Sequence, residues 1–371
     1  MSARPRALDV STDVGAAYAA RLLAEVGWDV VKYEPVGGDP LRRTASRWGS
    51  GEGGAFLFAN AGKRGVTADA ATLGRLAAAA DVVLGDFSAA GLREASLPAD
   101  AWQTFSPRRV LASVSAFGLT GPRSDEVATE LVVQAASGMM FLTGEWDQPP
   151  MQLPPYQGAL TGGVAAAAAV MAAVRASRQE GKRQRVDVSM VEAMASQTYL
   201  AMSAYVYRGE VHRREARVKA GIRMVPASDT FVYCAPGAVA TMRMDGIAKL
   251  LGEPRLAEER FQTAEGRMQN YDEFVSLFVP PFRRKTARQW FEEAEALHLT
   301  FALVQTIDEL FTCPQLESRR LFREIEAPGG GAIRIPGRPF RLEGGPAPAE
   351  RGAPPFQGAD NSAVFAEWLG V

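Results

Sequence analysis

The chain has 371 residues, 47% apolar and 22% charged, which predicts about two soluble domains with a sizeable core. Its 41 Lys and Arg offset 42 Asp and Glu to a formal charge of −1, so no basic excess exists to neutralise nucleic-acid phosphates. Cys234 and Cys313 exclude a disulfide framework and a CxxC site, and His212 and His298 lie far apart, so no metal is expected.

Met1–Leu8 carries arginines without an apolar run, so no secretory leader is expected. Ala7–Val10 reads as a short apolar strand. Ala16–Val26 follows, with Tyr18, Leu22, Leu23 and Val26 at helical spacing. Trp28–Tyr33 is a β-branched run that suits a buried parallel strand. A loop rich in Gly, Pro and Arg occupies 37–43. Arg64–Thr67, Asp81–Leu84 and Arg109–Ser115 read as further strands, and Ala70–Ala80 as a helix. This alternation predicts βαβ units in a parallel sheet, hence an α/β class.

From Glu126 to Tyr207 the pattern is mainly helical, broken by a strand at Arg185–Ser189. Gln148–Val174 is uncharged, but its four prolines and alanine-rich half predict a loop and a buried helix, with no membrane span. The cytoplasm is the expected location. Arg208–Arg223 reads as a solvated basic linker. A second region follows, with a strand near Thr230–Cys234 and amphipathic helices at Tyr271–Phe278 and Ala287–Leu297. A strand at Ala332–Ile335 and a helix at Ser362–Leu369 close the chain. The predicted organisation is a large domain at 1–207, a linker at 208–225, a small α+β domain at 226–325 and a return segment at 326–371.

A parallel α/β start invites a dinucleotide site. The turn after the first strand, STDVGAAYAA, holds a single glycine, Gly15, so the GxGxxG fingerprint is missing. Neither a GxxxxGK[ST] phosphate loop nor a GxSxG elbow occurs.

Several runs together carry a different resemblance. They are YAARLLAEVGWDVVKYEPVGGDPLRR at 18–43, NAGKRGVTAD at 60–69, ADVVLGDFSAAGL at 80–92 and SPRRVLASVSAFGLTGP at 106–122. TELVVQAASGMMFLTGEWDQPP at 129–150, ALTGG at 159–163, RVDVSMVEAM at 185–194 and TIDELFTCPQLESRRLF at 306–322 complete the set. In this order the chain resembles the family III CoA-transferases, the carnitine and bile-acid-inducible group. The resemblance implies a Rossmann-like large domain, a smaller domain and an interlocked dimer.

It also implies a reaction with coenzyme A and acyl-CoA as substrates. An aspartate carboxylate attacks the acyl-CoA thioester, and the released thiolate then converts the mixed anhydride to an aspartyl-CoA thioester. The acceptor carboxylic acid takes over the CoA. This nucleophilic route needs neither His nor Cys.

The sequence departs from the family at the nucleophile. Ala159 stands where the Asp of a D-L-T-G-G-like motif is expected, and a methyl group has no lone pair. The usual A-G-P turn reads Gly15-Ala16-Ala17. Pro35 and Ala71 replace basic residues, and a G-E-H-T-like motif reads Gly358-Ala359-Asp360-Asn361. The CoA-side positions that match are Lys63, Arg64, Asp86, Phe87, Ser88 and Glu130. Each also has a plain structural reading, in core, loop or helix end. Glu145 and Asp147 are the acids near enough in sequence to replace the missing one.

The expected role is a subunit without the nucleophile, paired with a homologous Asp-bearing chain. The alternatives are a CoA-ester-binding protein without a reaction, and a lyase or racemase on the same scaffold. The last needs a base that neither His212 nor His298 supplies near the large-domain helix.

Overall fold

A computed structural model describes residues 4–44, 53–89, 110–214, 224–234, 244–326, 331–344 and 352–371. The chain divides into two compact units. The larger takes 1–144, 148–214 and 319–371, and the smaller takes 145–147 and 215–318.

The larger unit is built on six strands: β1 (Arg6–Asp9), β2 (Asp29–Tyr33), β3 (Arg64–Val66), β4 (Val82–Gly85), β5 (Val110–Ser115) and β6 (Gln184–Ser189). Their order is β3-β2-β1-β4-β5-β6, with every neighbouring pair parallel. This confirms the α/β reading. The β-branched runs of β2, β4 and β5 are buried because helices cover both faces of such a sheet.

Helices α1 (Val14–Glu25), α2 (Gly54–Asn60) and α3 (Ala70–Ala79) connect the first strands. After β5 come α4 (Glu130–Ala136) and α5 (Gln157–Glu180), and after β6 come α6 (Met190–Ala195) and α7 (Tyr199–Arg208). The mainly helical pattern from Glu126 to Tyr207 thus resolves into separate helices, with the strand and the Pro-rich loop where the sequence placed them. Prolines 149, 150, 154 and 155 force an irregular stretch before α5.

α5 is long and apolar enough to cross a membrane by length and composition. Its Gly158, Ala159, Gly162, Gly163, Ala166, Ala167 and Val170 are instead buried in the larger unit. Glycine is required where α5 meets α1: a Cβ on Gly163 would lie 2.7 Å from the Gly15 carbonyl oxygen.

The smaller unit has an antiparallel sheet of β7 (Met224–Pro226), β8 (Phe231–Cys234) and β9 (Phe301–Leu303). Helices α8 (Met244–Leu251), α9 (Tyr271–Phe278) and α10 (Ala287–Ala296) pack on its core. Phe261, Phe274, Phe278, Phe282 and Trp290 form a run of ring contacts. Thr286 and Gln289 close a capping box at the start of α10. Of the basic linker, Arg217, Lys219 and Arg223 lie outside the described residues.

The chain then re-enters the larger unit. β10 (Phe322–Glu326) and β11 (Ala332–Pro336) form a hairpin, and Arg21 of α1 donates to Phe58 O and to Pro336 O. Before α11 (Asn361–Leu369), a strap runs along the outer edge of β3. Gly65 N donates to Asp360 Oδ2, Asp360 N returns to Gly65 O, and Asn361 exchanges two bonds with Thr67. A Cβ on Gly65 would lie 2.5 Å from Phe356 O, so only glycine admits the strap. The GADN departure noted in the sequence thus covers a sheet edge.

Candidate active site

In a sheet of this order, the crevice for a ligand opens at the carboxyl ends of β1 and β4, where the strand order reverses. The β1–α1 turn, Ser11–Asp13, and Asp86 after β4 meet at that end of the sheet.

Below the turn lies a buried set of charges. Asp9 accepts from Ser11 N at 2.9 Å and Ser11 Oγ at 2.5 Å, and pairs with Lys63 at 2.6 Å. Burial alone would raise the Asp9 carboxyl, but Lys32 and Lys63 outweigh it and hold it at about 2. Burial pushes the Lys63 ammonium down to about 8, against the pull of Asp9. Lys32 donates to Ser11 O and pairs with Asp39 at 2.8 Å. Burial would lower Lys32, but Asp9 and Asp39 more than reverse this. Glu34 takes Arg42 bidentately at 2.7 Å, and Arg42 reaches the strap at Pro355 O.

Above this base, Thr12 donates its N–H to Asp86 Oδ1 at 2.6 Å and its hydroxyl to Asp86 Oδ2 at 2.7 Å. Asp13 caps α1 through Val14 N at 2.6 Å. Partial desolvation by neighbouring groups pushes the Asp13 carboxyl up, although the residue keeps surface exposure. The Val14 N–H opposes this, and the charges of Asp86 and Glu130 add to the rise.

The first turn of α5 completes the arrangement. Ala159 is 2% exposed and belongs to the main core cluster, between Gly158, which faces Val133 and Met194, and Gly162, which faces Met190 and Val114. A Cβ on Gly15 would lie 3.5 Å from the Ala159 carbonyl oxygen. Glu130 Oε1 accepts from Gly158 N at 2.7 Å, and Oε2 accepts from Ala159 N at 3.2 Å. Gln134 holds Glu130 Oε1 at 2.8 Å and accepts Leu153 N through its own oxygen at 2.8 Å. Tyr156, immediately before α5, has a left-handed backbone with φ 67°.

The structure treats the sequence-derived positions unequally. Glu130 sits at Ala159, but as a cap on α5 more than as an acid serving its own helix. Asp86 lies across the crevice from Thr12. Phe87 turns its ring onto Gly85, where a Cβ would lie 2.5 Å from the ring, and its carbonyl accepts from Ser113 Oγ at 2.8 Å. Ser88 follows, partly buried. Lys63 is buried, and Arg64 is partly buried. All three Lys63 protons are taken, by Asp9, Ala17 O and Asn60. Arg64 binds Asp29 and Glu367. Holding a phosphate would require breaking these bonds. Glu145 and Asp147 belong to the smaller unit, and Glu130 is the carboxylate bonded at Ala159.

Sequence reading missed Asp9, Lys32, Asp39 and Gln134. The polar residues inside the β-branched runs were the available signal, since a buried Lys32 in strand β2 demands a partner. Among the described residues no group of His, Cys, Asp and Glu could hold a metal.

Comparison with known proteins bears on this site. A profile described as CoA-transferase family III matches residues 5–361. A succinate–glutarate CoA-transferase of Agrobacterium fabrum is 27% identical, over 98% of this chain and 94% of that protein. The BbsE subunit of succinyl-CoA:(R)-benzylsuccinate CoA-transferase from Thauera aromatica is 25% identical, over 91% and 87%. In fold, a CAIB/BAIF family protein from Brucella suis superposes with a TM-score of 0.86 at 24% identity, covering 98% of both chains.

Proposed function

Because this chain belongs to CoA-transferase family III, we propose that it is the subunit of a heteromeric CoA-transferase that lacks the nucleophile. The observation that carries this reading is Ala159, a buried methyl at the first turn of α5 whose N–H is already taken by Glu130. A homologous Asp-bearing chain supplies the carboxylate. That carboxylate attacks the thioester carbon of an acyl-CoA, the C–S bond breaks, and CoA leaves as thiolate. The thiolate attacks the anhydride at the aspartyl carbon and expels the donor acid. The acceptor carboxylate then displaces the CoA thiolate to form its own anhydride, from which the thiolate regenerates the aspartate and forms the new thioester.

The substrate class is an acyl-CoA donor, succinyl-CoA in the first instance, and a carboxylic acid acceptor. The names of the relatives support this choice. One of them is itself called a subunit, which supports a partner chain. Exposed apolar side chains also support an interlocked dimer: Leu131, Val164, Leu200, Val206 and Tyr207 lie open on α4, α5 and α7. Asp86, Phe87, Ser88 and Glu130 are the residues assigned to the CoA-ester crevice, with Lys63 supporting it from beneath through Asp9. Arg64 binds Asp29 at the start of β2 and Glu367, at the other end of the sheet. The proposed location is the cytoplasm.

The test is co-expression with an Asp-bearing homologue and an assay of transfer from succinyl-CoA. The pair is expected to transfer CoA while this chain alone does not. Transfer by this chain alone, or a soluble homodimer that ignores the homologue, overturns the proposal.

A further inference from the structure

The Ser11–Thr12 turn is held more tightly than a loop end requires. Asp9 takes both the N–H and the hydroxyl of Ser11, and Lys32 takes its carbonyl. Asp86 takes both the N–H and the hydroxyl of Thr12. Five polar groups on two residues are thus fixed by charged side chains from β1, β2 and the end of β4. Charge-assisted bonds of this kind are about twice as strong as neutral ones. Asp9 and Lys32 also serve the buried core, so their bonds have a second purpose. The two bonds of Asp86 cross the crevice between β1 and β4.

From this geometry we infer that Asp86 is a positioning residue for the β1–α1 turn, acting through Thr12. The turn leads directly into Asp13, the cap of α1, and Gly15, whose neighbour is Ala159. Asp86 therefore sets where the start of α1 stands against the start of α5. Asp86 does not need to touch the substrate to do this. The inference rests on the CoA-transferase reading for its ligand, and on the turn geometry for its mechanism.

The test uses the full chain assembled with its Asp-bearing homologue, with Asp86→Ala and Asp86→Asn variants. Two quantities are measured: amide hydrogen exchange across residues 10–17, and affinity for succinyl-CoA by calorimetry. Asp86→Ala removes both acceptors, so exchange should quicken and succinyl-CoA should bind more weakly, each by about tenfold. The melting temperature should stay nearly constant, because Asp86 is not part of the apolar core. An amide can accept from Thr12 N and donate to Thr12 Oγ1, so Asp86→Asn should restore both.

Unchanged exchange in Asp86→Ala overturns the inference. So does faster exchange with unchanged affinity, and so does a fall in melting temperature without any change in affinity. If the unaltered assembly binds no succinyl-CoA, the CoA-transferase reading fails, and the exchange result alone decides whether Asp86 holds the turn.

Discussion

Restoring a carboxylate at position 159 measures what the scaffold has kept. Ala159 is the third residue of α5, so an acid there gains from the helix dipole by about 0.3–1 kcal/mol. It also enters a buried position whose N–H lies 3.2 Å from Glu130 Oε2. Two unit charges at roughly 4 Å repel by about 4 kcal/mol at an effective dielectric near 20. Movement of the two side chains relieves part of this, so Ala159→Asp should cost about 1–3 kcal/mol at pH 8. The repulsion raises the folded pKa of the pair above that of a free carboxyl. The folded state then holds a proton that the unfolded chain releases, so stability falls as pH rises through that window. The penalty is therefore full at pH 8 and shrinks toward pH 4–5, where one proton is shared. The assay is thermal unfolding of both proteins at pH 5 and pH 8, repeated in a Glu130→Gln background. A gap between variant and parent that is equal at both pH values would refute the reasoning. So would a gap at pH 8 that Glu130→Gln does not narrow. In the same samples, mass spectrometry after succinyl-CoA should find a covalent CoA adduct in Ala159→Asp and none in the parent.

Lys63→Met leaves Asp9 without its nearest cation and should cost about 3–5 kcal/mol, read as a shift in the urea midpoint at constant slope. Asp9 is held at about 2 against the usual 3.8, so its contribution is complete above pH 3.8 and drains as pH falls through 2. That amounts to roughly 2 kcal/mol, and acid titration of the urea midpoint checks it. Lys63 runs the other way. Its folded value of about 8 lies below the usual 10.5, so it makes stability rise with pH between those values. Gly163→Ala drives a methyl to 2.7 Å from the Gly15 carbonyl and should cost about 1–3 kcal/mol, read in the melting temperature of the isolated chain.

The parts legible in the sequence are those with local signals. β2, β4 and β5 stand out because each is an unbroken β-branched or apolar run, and α5 because alanine fills both its inner and outer faces. Ala159 was legible because the Thr161-Gly162-Gly163 run that follows it fixes its place. The bonds that make the site have no such signature. Thr12 and Asp86 are 74 positions apart, Asp9 and Lys63 54, and Ala159 and Glu130 29. Such pairs are brought together by the order of parallel strands, and no spacing along the chain announces them. Lys63 shows the consequence. In sequence it pairs with Arg64 as a base for phosphate, while in the fold acceptors from β1, α1 and α2 enclose it.

Why alanine, and why at this position, follows from the neighbours. Glu130 already accepts from the first amides of α5, Gly158 N and Ala159 N, so the helix needs no second acid there. Ala159 is 2% exposed and belongs to the apolar core cluster of the larger unit, a setting that favours a methyl over a carboxylate. An acid at 159 is therefore held against the preference of its surroundings, and only catalysis maintains it. Under the proposed heteromer, in which a second chain would carry the nucleophile, alanine relieves that cost without disturbing the pinned turn or the buried charges, which depend on other residues. The same logic makes a prediction for the Asp-bearing partner. Replacing its nucleophile with alanine should abolish transfer and raise its melting temperature, by about 2–4 °C for each kcal/mol relieved. A partner that loses activity and also loses stability would show that its aspartate is a structural member of the fold, and the account of Ala159 as relief would fall with it.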